Sequence, residues 1–259
     1  MGIVNRTPDS FFDHGRYFAL EDSLTLAEQL VTAGADVIDV GGVRAGPGPE
    51  VSPQEEIDRV VPAIEAIASQ FRVPVSVDTW RAEVADAAYR AGAVLGNDIS
   101  GFGDPEYLAV AARHHASVVA THIRLAPRVD DPDPRYPNDD VVTAVEEYLT
   151  ERRDRALAAG LAPEQIILDA GLDLGKTTTQ SLELLRASGR FAAIGQPLLL
   201  SASNKGFLGE LLGLKIDERR DATMAALSLG VALGCRVLRV HDVAGTRRVV
   251  STLDALLCR

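Results

Sequence analysis

Ile166-Ile167-Leu168-Asp169 is one of eight short apolar runs in this chain that each stop at a polar residue. A strand that is apolar throughout is typical of a parallel sheet with both faces buried. The other seven runs are spread along the chain at Gly2–Asn5, Val37–Val40, Val75–Asp78, Val94–Asp98, Val118–His122, Leu198–Ser201 and Val237–Asp242. Eight such runs, with helical stretches between them, predict an α/β fold: a single (β/α)8 TIM barrel.

Length and composition narrow the class of protein. The 259 residues are close to the roughly 250 of one (β/α)8 domain, so we expect a single domain over residues 1–259. The first run begins almost at Met1, and we expect the natural chain to extend upstream of it. The formal net charge of -11 argues against a nucleic acid partner. No apolar stretch approaches the ~20 residues of a membrane span, and no signal peptide is visible.

Two cysteines, Cys235 and Cys258, form neither a disulfide framework nor a metal-binding pattern. We expect Cys235 to pack beside the last strand. A reduced, cytoplasmic setting fits this cysteine usage best.

Capping residues mark where the helices begin. Asp22 or Ser23 is expected to cap a first helix that runs to Ala33. Ser52 precedes Glu55 at the spacing of a capping box and is expected to open the second helix. Further helices are expected near Arg81–Arg90, Glu106–His114, Val141–Ala158, Gln180–Leu185, Glu218–Leu233 and Arg247–Leu257.

Two long loops follow the second and fifth strands. Gly41–Ser52 is rich in glycine, and Ile123–Asp140 contains four prolines among charged residues. Both leave the carboxyl ends of strands, so both are candidate lids, with plain connectors as the alternative. We expect Val43–Ser52 to be mobile without ligand, because glycine raises the entropy cost of ordering a segment.

Chemistry in a (β/α)8 barrel sits at the carboxyl ends of its strands. In this chain those ends hold Asn5, Asp39, Asp78, Asn97, Asp169, Lys205, Arg239 and His241. A carboxylate facing an amide suits a flat heterocycle with an amidine-like edge, because the carboxylate accepts a pair of N–H bonds. The alternative is that these acids cap neighbouring helices.

Three basic residues follow strands seven and eight, where barrels commonly bind phosphate: Lys205, Arg239 and His241. Arg239 and His241 are two positions apart, so their side chains share one face of a strand. This pair suits an anion such as diphosphate. An alternative partner for Arg239 is Asp39 or Asp78, and the two roles are compatible.

The first eleven residues, Met1-Gly2-Ile3-Val4-Asn5-Arg6-Thr7-Pro8-Asp9-Ser10-Phe11, resemble the opening of dihydropteroate synthase, M-G-I-x-N-x-T-P-D-S-F. The resemblance continues, in order, through Asp39-Val40-Gly41-Gly42, Ser76-Val77-Asp78-Thr79, Asn97-Asp98-Ile99, His122, Asp169, Ser203-x-Lys205 and Arg239-Val240-His241-Asp242-Val243. The matches span nearly the whole chain, so the family assignment does not depend on one motif.

The resemblance implies an enzyme that joins p-aminobenzoate to 6-hydroxymethyl-7,8-dihydropterin diphosphate and releases diphosphate. Its positions for the pterin ring are Asp78, Asn97, Asp169 and Lys205. Its positions around the diphosphate are Asn5, Arg239 and His241, with Asn5 near a Mg2+ ion, and Ser203 matches a serine near p-aminobenzoate. Lys205, Arg239 and His241 are the candidate catalytic residues. The family also implies a mobile loop at Thr7–Asp13 and a homodimer.

Departures from the family pattern fall on the side of the second substrate. The loop G-G-E-S-T-R-P-G becomes Gly41-Gly42-Val43-Arg44-Ala45-Gly46-Pro47-Gly48, so its Thr and Arg are lost. The triplet S-R-K contains Asn204 in place of Arg. In D-P-G-x-G-F-x-K, Asp173 replaces the second glycine and Leu174 replaces the phenylalanine. Fewer cations and an added anion disfavour an anionic benzoate.

The leading hypothesis is therefore a dihydropteroate-synthase-like barrel with a retained pterin pocket and weak or absent synthase activity. One alternative is an active synthase that tolerates its altered loops. Another is a non-catalytic regulator that binds a pterin or an anion. A pterin-dependent methyltransferase is a third, and the Ser203-x-Lys205 and Arg239-x-His241-Asp242 motifs argue against it.

Overall fold

The computed structural model describes residues 1–7 and 19–257 and contains a parallel sheet of eight strands, paired in chain order. The strands are β1 Gly2–Asn5, β2 Ile38–Gly41, β3 Val75–Asp78, β4 Leu95–Asp98, β5 Ser117–Thr121, β6 Ile166–Asp169, β7 Leu198–Leu200 and β8 Cys235–Leu238. Beyond β8, Val240 forms a parallel bridge with Gly2, and its amide donates to the Met1 carbonyl oxygen at 3.0 Å. The first strand therefore also contacts the chain that follows the last one.

Helices connect successive strands, and their bounds largely follow the sequence prediction. They are α1 Leu20–Thr32, α2 Pro53–Gln70, α3 Ala82–Arg90, α4 Tyr107–Arg113, α5 Val141–Ala158, α6 Thr178–Arg186, α7 Ser188–Ala192, α8 Gly206–Leu212, α9 Arg220–Ala232 and α10 Val243–Leu257. The predicted cap of the second helix is confirmed, because the Ser52 hydroxyl accepts the Glu55 amide at 3.2 Å. The bounds predicted for α5 are also confirmed.

Three details of the prediction are wrong. Helix α1 begins before Asp22 and Ser23, and the Ser23 hydroxyl donates to the Leu20 carbonyl inside the helix instead of capping it. The short helices α7 and α8 were not expected, because neither is long enough to show a helical period. The last strand was expected over Val237–Asp242, but β8 begins at Cys235 and ends at Leu238. Its pairing with β7 starts where Leu198 lies opposite Cys235.

Two groups of apolar side chains lie on opposite faces of the sheet. Val119 packs with Leu95 and Leu199 in one group, whereas Val118 and Ala120 belong to the large cluster that includes the helices. Alternate residues of a strand point to opposite faces, so both faces of β5 are buried. This double burial explains why the strands are apolar throughout.

Two further expectations concern the cysteines and membrane spans. Cys235 is buried at the start of β8 and carries a free thiol, and burial raises its pKa to about 11. Cys258 lies outside the described residues. Among the helices of residues 1–7 and 19–257, none is long and apolar enough to cross a membrane.

Candidate functional site

The register of the first four strands brings three predicted site residues to one edge of the sheet. Asn5 pairs with Gly41, Gly41 pairs with Asp78, and Asp78 pairs with Asn97. On the far side of β5, Asp169 pairs with Thr121. The carboxyl ends of parallel strands meet at the same edge of a sheet, so these polar side chains surround one opening.

Arg239 lies at the centre of this opening between two carboxylates. Its Nε donates to Asp39 Oδ2 at 2.6 Å, and its Nη2 donates to Asp78 Oδ2 at 2.7 Å. Asp39 is fully buried, and it also accepts the Ser76 hydroxyl at 2.5 Å and the Asn97 amide at 3.1 Å. The ion pair considered from sequence is confirmed, and Arg239 makes it with both acids at once.

Burial shapes the charges of this network. It raises the pKa of Asp78 to about 7, and the nearby Arg239 charge offsets only part of that rise. For Arg239 itself, burial opposes the charged form, but the charges of Asp39 and Asp78 outweigh burial and raise its pKa. The guanidinium therefore stays charged, whereas the Asp78 carboxyl changes protonation near neutral pH.

Lys205 and Asp169 lie on the opposite side of the opening. The Lys205 ammonium donates to the Leu172 carbonyl oxygen at 2.5 Å, and Asp169 Oδ1 accepts the Gly171 amide at 2.8 Å. Burial lowers the pKa of Lys205 and raises that of Asp169, and the charge of each group opposes the shift of the other. These two predicted site residues are therefore close enough to interact electrostatically.

His241 is neutral in this site and does not add a positive charge. Burial, together with the Arg239 charge, lowers the pKa of His241 to about 3. Its Nδ1 lies 2.9 Å from Ser203 Oγ, which also accepts the His241 amide at 3.2 Å. If the hydroxyl donates to Nδ1, Nε2 carries the ring proton and can donate to an anion.

Asp98 is a strand-end acid that faces away from the opening. Its two carboxylate oxygens accept the amides of Ser100 at 2.6 Å and Phe102 at 2.8 Å. Asp98 follows Asn97 directly, so its side chain points to the other face of β4. Asp98 therefore holds the turn after β4 and does not cap a neighbouring helix.

The residues that depart from the family pattern are engaged inside the fold. Asp173 has a φ of +69°, and its carboxylate accepts the amides of Gly206 at 2.6 Å and Phe207 at 3.2 Å, where α8 begins. Asn204 has a φ of +57°, which Asn tolerates better than most residues. The Asn204 amide donates to the Thr223 hydroxyl at 3.1 Å. Asp173 therefore caps a helix that local sequence did not predict.

Magnesium is the metal that the resemblance implies, with Asn5 as its protein contact. The described residues contain no group of three or more His, Cys, Asp or Glu side chains that could hold a metal. A Cβ built on Gly41 would lie 3.6 Å from both Asn5 Oδ1 and Asp78 Oδ2, so these two oxygens flank the same glycine. Mg2+ typically binds one or two protein oxygens, several waters and substrate phosphates. Asp78 Oδ2 already accepts Arg239 Nη2 at 2.7 Å, so Asn5 is the residue of this pair that would contact a Mg2+ arriving with a diphosphate.

Two loops meet above the site: loop 2, residues 41–52, and the strap, residues 123–140. The Arg128 amide in the strap donates to the Ala45 carbonyl at 3.2 Å, and its guanidinium donates to the Pro49 carbonyl at 2.6 Å. The candidate lids are therefore linked to each other. That Val43–Ser52 is mobile without ligand stays a prediction. The first loop, Thr7–Asp13, lies outside the described residues apart from Thr7.

We expect Arg128→Ala to free loop 2. The substitution removes a charge-assisted hydrogen bond, so amide hydrogen exchange across residues 43–52 should accelerate by roughly tenfold. The matched control is Arg135→Ala, because the exposed Arg135 lies in the same strap and pairs with exposed Asp133. Equal exchange in Arg128→Ala and the wild type would contradict the link.

Two polar residues of the site were not predicted. Ser76 lies two positions before Asp78 on the same face of β3, so the period of two could have identified it. Lys176 is buried in the turn after β6, and its Nζ donates to three backbone carbonyls. Lys176 is the last residue of the family stretch D-P-G-x-G-F-x-K, but the sequence did not predict its role, because its partners come from two separate segments.

Comparison with known proteins identifies the family. The family described as "Pterin binding enzyme" matches residues 1–241. "Inactive dihydropteroate synthase 2" of Mycobacterium leprae (strain TN) is 45% identical over 260 residues, covering 99% of this chain and 89% of that protein. "Dihydropteroate synthase" of Bacillus subtilis (strain 168) is 40% identical over 259 residues, covering 99% of this chain and 88% of that protein.

A solved structure is similar over the whole fold. The crystal structure of Yersinia pestis dihydropteroate synthase with a sulfonamide drug complex has a TM-score of 0.95 and 36% identity, covering 100% of this chain and 94% of that one. The strand-end residues, the family match and these relatives agree with one another. The chain belongs to the family of pterin binding enzymes that includes dihydropteroate synthase.

Proposed function

We propose that this chain is a dihydropteroate-synthase-like protein that binds a pterin diphosphate and has weak or absent synthase activity. The observation that carries the proposal is the contrast between the two sides of the opening. On one side, the buried Asp39 and Asn97 and the partly exposed Asp78 and Arg239 form one connected polar network. On the other side, Asp173 and Asn204 have internal partners, and Ala45 and Gly46 have no long side chain.

We also propose that the eight strands form a closed barrel. The contact between Gly2 and Val240 joins the first strand to the chain after the last, which favours a closed (β/α)8 barrel. Residues 1–259 would then form one domain. A closed barrel would place all eight strand ends around one mouth.

The pterin ring is proposed to lie between the acids and Lys205. A carboxylate at Asp78 or Asp169 accepts paired N–H groups, and the Asn97 amide can donate and accept. The Asp78 carboxyl is poised for this role, because its pKa of about 7 lets it ionise as a ligand donates to it. Lys205 supplies an ammonium on the same side as Asp169.

The diphosphate is proposed to lie near Asn5, Arg239 and His241. Arg239 offers a permanent positive charge, and His241 offers a neutral N–H donor beside Ser203. Bound Mg2+ would neutralise developing charge on the departing phosphates. The protein's own part is to orient the anion and to hold Arg239 between its two carboxylates.

The second substrate is proposed to bind poorly. Asp173 already occupies the two amides at the start of α8, so its carboxylate competes there with any incoming carboxylate. Ala45 and Gly46 offer no hydrogen-bonding side chain, and Leu174 offers no aromatic surface. The mycobacterial relative named as inactive supports this assignment over the active-synthase alternative.

A non-catalytic regulator that binds the same pterin is the second candidate function. The same network favours it, because ligand binding needs Asp78, Asn97 and Arg239 but not the second-substrate side. For the assembly, we propose a homodimer in a cytoplasmic setting. Exposed leucines on the late helices, Leu212, Leu229 and Leu256, supply apolar surface for such a contact.

Calorimetric titration with 6-hydroxymethyl-7,8-dihydropterin diphosphate and Mg2+ tests the proposal. We expect the wild type to bind and Asp78→Asn to bind roughly 10- to 100-fold more weakly, because a charge-assisted pair is lost. Asp154→Asn on the outer helix α5 is the control and should bind as the wild type does. A wild type that fails to bind this ligand, while remaining folded, would overturn the proposal.

A further inference from the structure

The ammonium group of Lys176 is enclosed by three backbone carbonyl oxygens. Its Nζ donates to Gly171 at 2.8 Å, Leu174 at 3.1 Å and His122 at 3.3 Å. A lysine ammonium has three N–H donors, so each of the three carbonyls can accept one. The side chain is 8% exposed, which leaves it no role as a direct surface contact.

The three carbonyls come from two separate segments of the chain. Gly171 and Leu174 lie in the turn after β6, and His122 follows β5 directly. Gly171 has a φ of +65°, and a Cβ there would lie 2.0 Å from the His122 carbonyl oxygen. The turn therefore touches the end of β5 with its backbone, and Lys176 holds the two together at that contact.

The same turn supports both sides of the proposed pterin pocket. Asp169 Oδ1 accepts the Gly171 amide at 2.8 Å, which fixes the orientation of that carboxylate. The Leu172 carbonyl accepts Lys205 Nζ at 2.5 Å. A movement of the turn would therefore displace Asp169 and Lys205 together.

We infer that Lys176 is a positioning residue for pterin binding: its ammonium holds the turn at residues 170–175 in the shape that presents Asp169 and Lys205. The inference rests on the proposed function of the site. Lys176 acts through backbone carbonyls and needs no contact with the ligand. Its removal should weaken binding even though the pocket side chains are unchanged.

The protonation of Lys176 makes the effect depend on pH. Burial and the Lys205 charge lower the pKa of Lys176 to about 7, against the opposing charges of Asp169, Asp173 and Asp131. Directly after β5, His122 contacts the ammonium through its carbonyl, and its ring stays neutral because burial lowers its pKa to about 2. Above pH 7 the neutral amine loses one N–H donor, so one carbonyl loses its bond.

The test compares Lys176→Met with the wild type at two pH values, with the matched control Lys215→Met, an exposed lysine. The probe is 6-hydroxymethyl-7,8-dihydropterin diphosphate with Mg2+, measured by calorimetry. At about pH 6, Lys176→Met should bind at least roughly tenfold more weakly than the wild type. The ratio should be smaller at about pH 8.5, where the wild-type amine is neutral and donates to two carbonyls instead of three.

The ratio of the two affinities removes the effect of Asp78 protonation on binding, because Asp78 is present in both proteins. Equal affinity of Lys176→Met and the wild type at the lower pH would overturn the inference and leave the pterin site intact. Failure of the wild type to bind would instead overturn the proposed function, and the inference with it.

A measurement on the wild type alone guards against a variant that does not fold. Amide protection factors for residues 171–174 should fall between the lower and the higher pH, because the neutral amine holds the turn less firmly. Protection at Val118–Ala120 in β5 should stay constant. Unchanged protection in the turn would overturn the inference without any substitution.

Discussion

Restoring the family residues on the second-substrate side should raise diphosphate release that depends on p-aminobenzoate by roughly 100- to 10,000-fold. The variant combines Ala45→Thr, Gly46→Arg, Asn204→Arg, Asp173→Gly and Leu174→Phe. Two restored cations and one removed anion account for most of the gain, since a charge-assisted hydrogen bond is worth about 1.5–3 kcal/mol. We expect the unmodified chain to have low synthase activity.

The structure ranks these five changes. Asp173→Gly should matter most, because it removes a carboxylate from the Gly206 and Phe207 amides and suits a φ of +69°. Among the three changes of charge, Asn204→Arg should gain least. Its φ of +57° favours Asn, and a bulkier residue there costs on the order of 1 kcal/mol.

A coupled assay for diphosphate, with and without p-aminobenzoate, measures the effect. The control adds Lys205→Met to the five changes and should abolish the gain, because the proposed pterin contact is lost. Turnover by the unmodified chain at the typical enzyme median of about 10 per second would refute the impaired-synthase hypothesis. Activity that rises without p-aminobenzoate would refute the assignment of these residues to the second substrate.

Arg239→Met should be the most destabilising single substitution in the site. It leaves the buried Asp39 and the mostly buried Asp78 without their cation, and breaking a buried pair costs about 3–5 kcal/mol. At roughly 2–4 °C per kcal/mol for a chain of this size, the melting temperature should fall by about 6–20 °C. Pterin binding should be lost as well.

The loss of stability in Arg239→Met should increase with pH. In the wild type, Asp78 has a pKa of about 7, above its usual 3.8, so the folded state binds more protons than the unfolded state in that window. Its contribution to stability therefore falls as pH rises from about 4 to 7. Without Arg239 the pKa of Asp78 should rise further, so the deficit of Arg239→Met should grow above neutral pH.

Denaturant unfolding at acidic and alkaline pH measures both effects. Adding Asp78→Asn to Arg239→Met should recover part of the stability, because one unpaired charge is removed. Arg135→Met is the control, because the Arg135 guanidinium is exposed. The melting temperature of this variant should match that of the wild type. An Arg239→Met variant as stable as the wild type above pH 7 would contradict the role of the ion pairs.

The sequence by itself determined the features that depend on neighbours along the chain. Eight apolar runs predicted eight parallel strands, since a strand buried on both faces must be apolar throughout. The Ser52 cap and the bounds of α5 follow from residues within a turn of each other. The family motifs also identified the strand-end positions, because polar residues there interrupt an otherwise apolar pattern.

Only the tertiary structure decided which of these residues meet and in what charge state. Arg239 lies 200 positions from Asp39 and 161 from Asp78, so no local pattern chooses between the two acids, and the fold gives it both. His241 is neutral because burial and the Arg239 charge lower its pKa. The Lys176 ammonium donates to carbonyls in the segments that follow β5 and β6. Burial and contacts between distant segments set these properties, and both exist only once the sheet has formed.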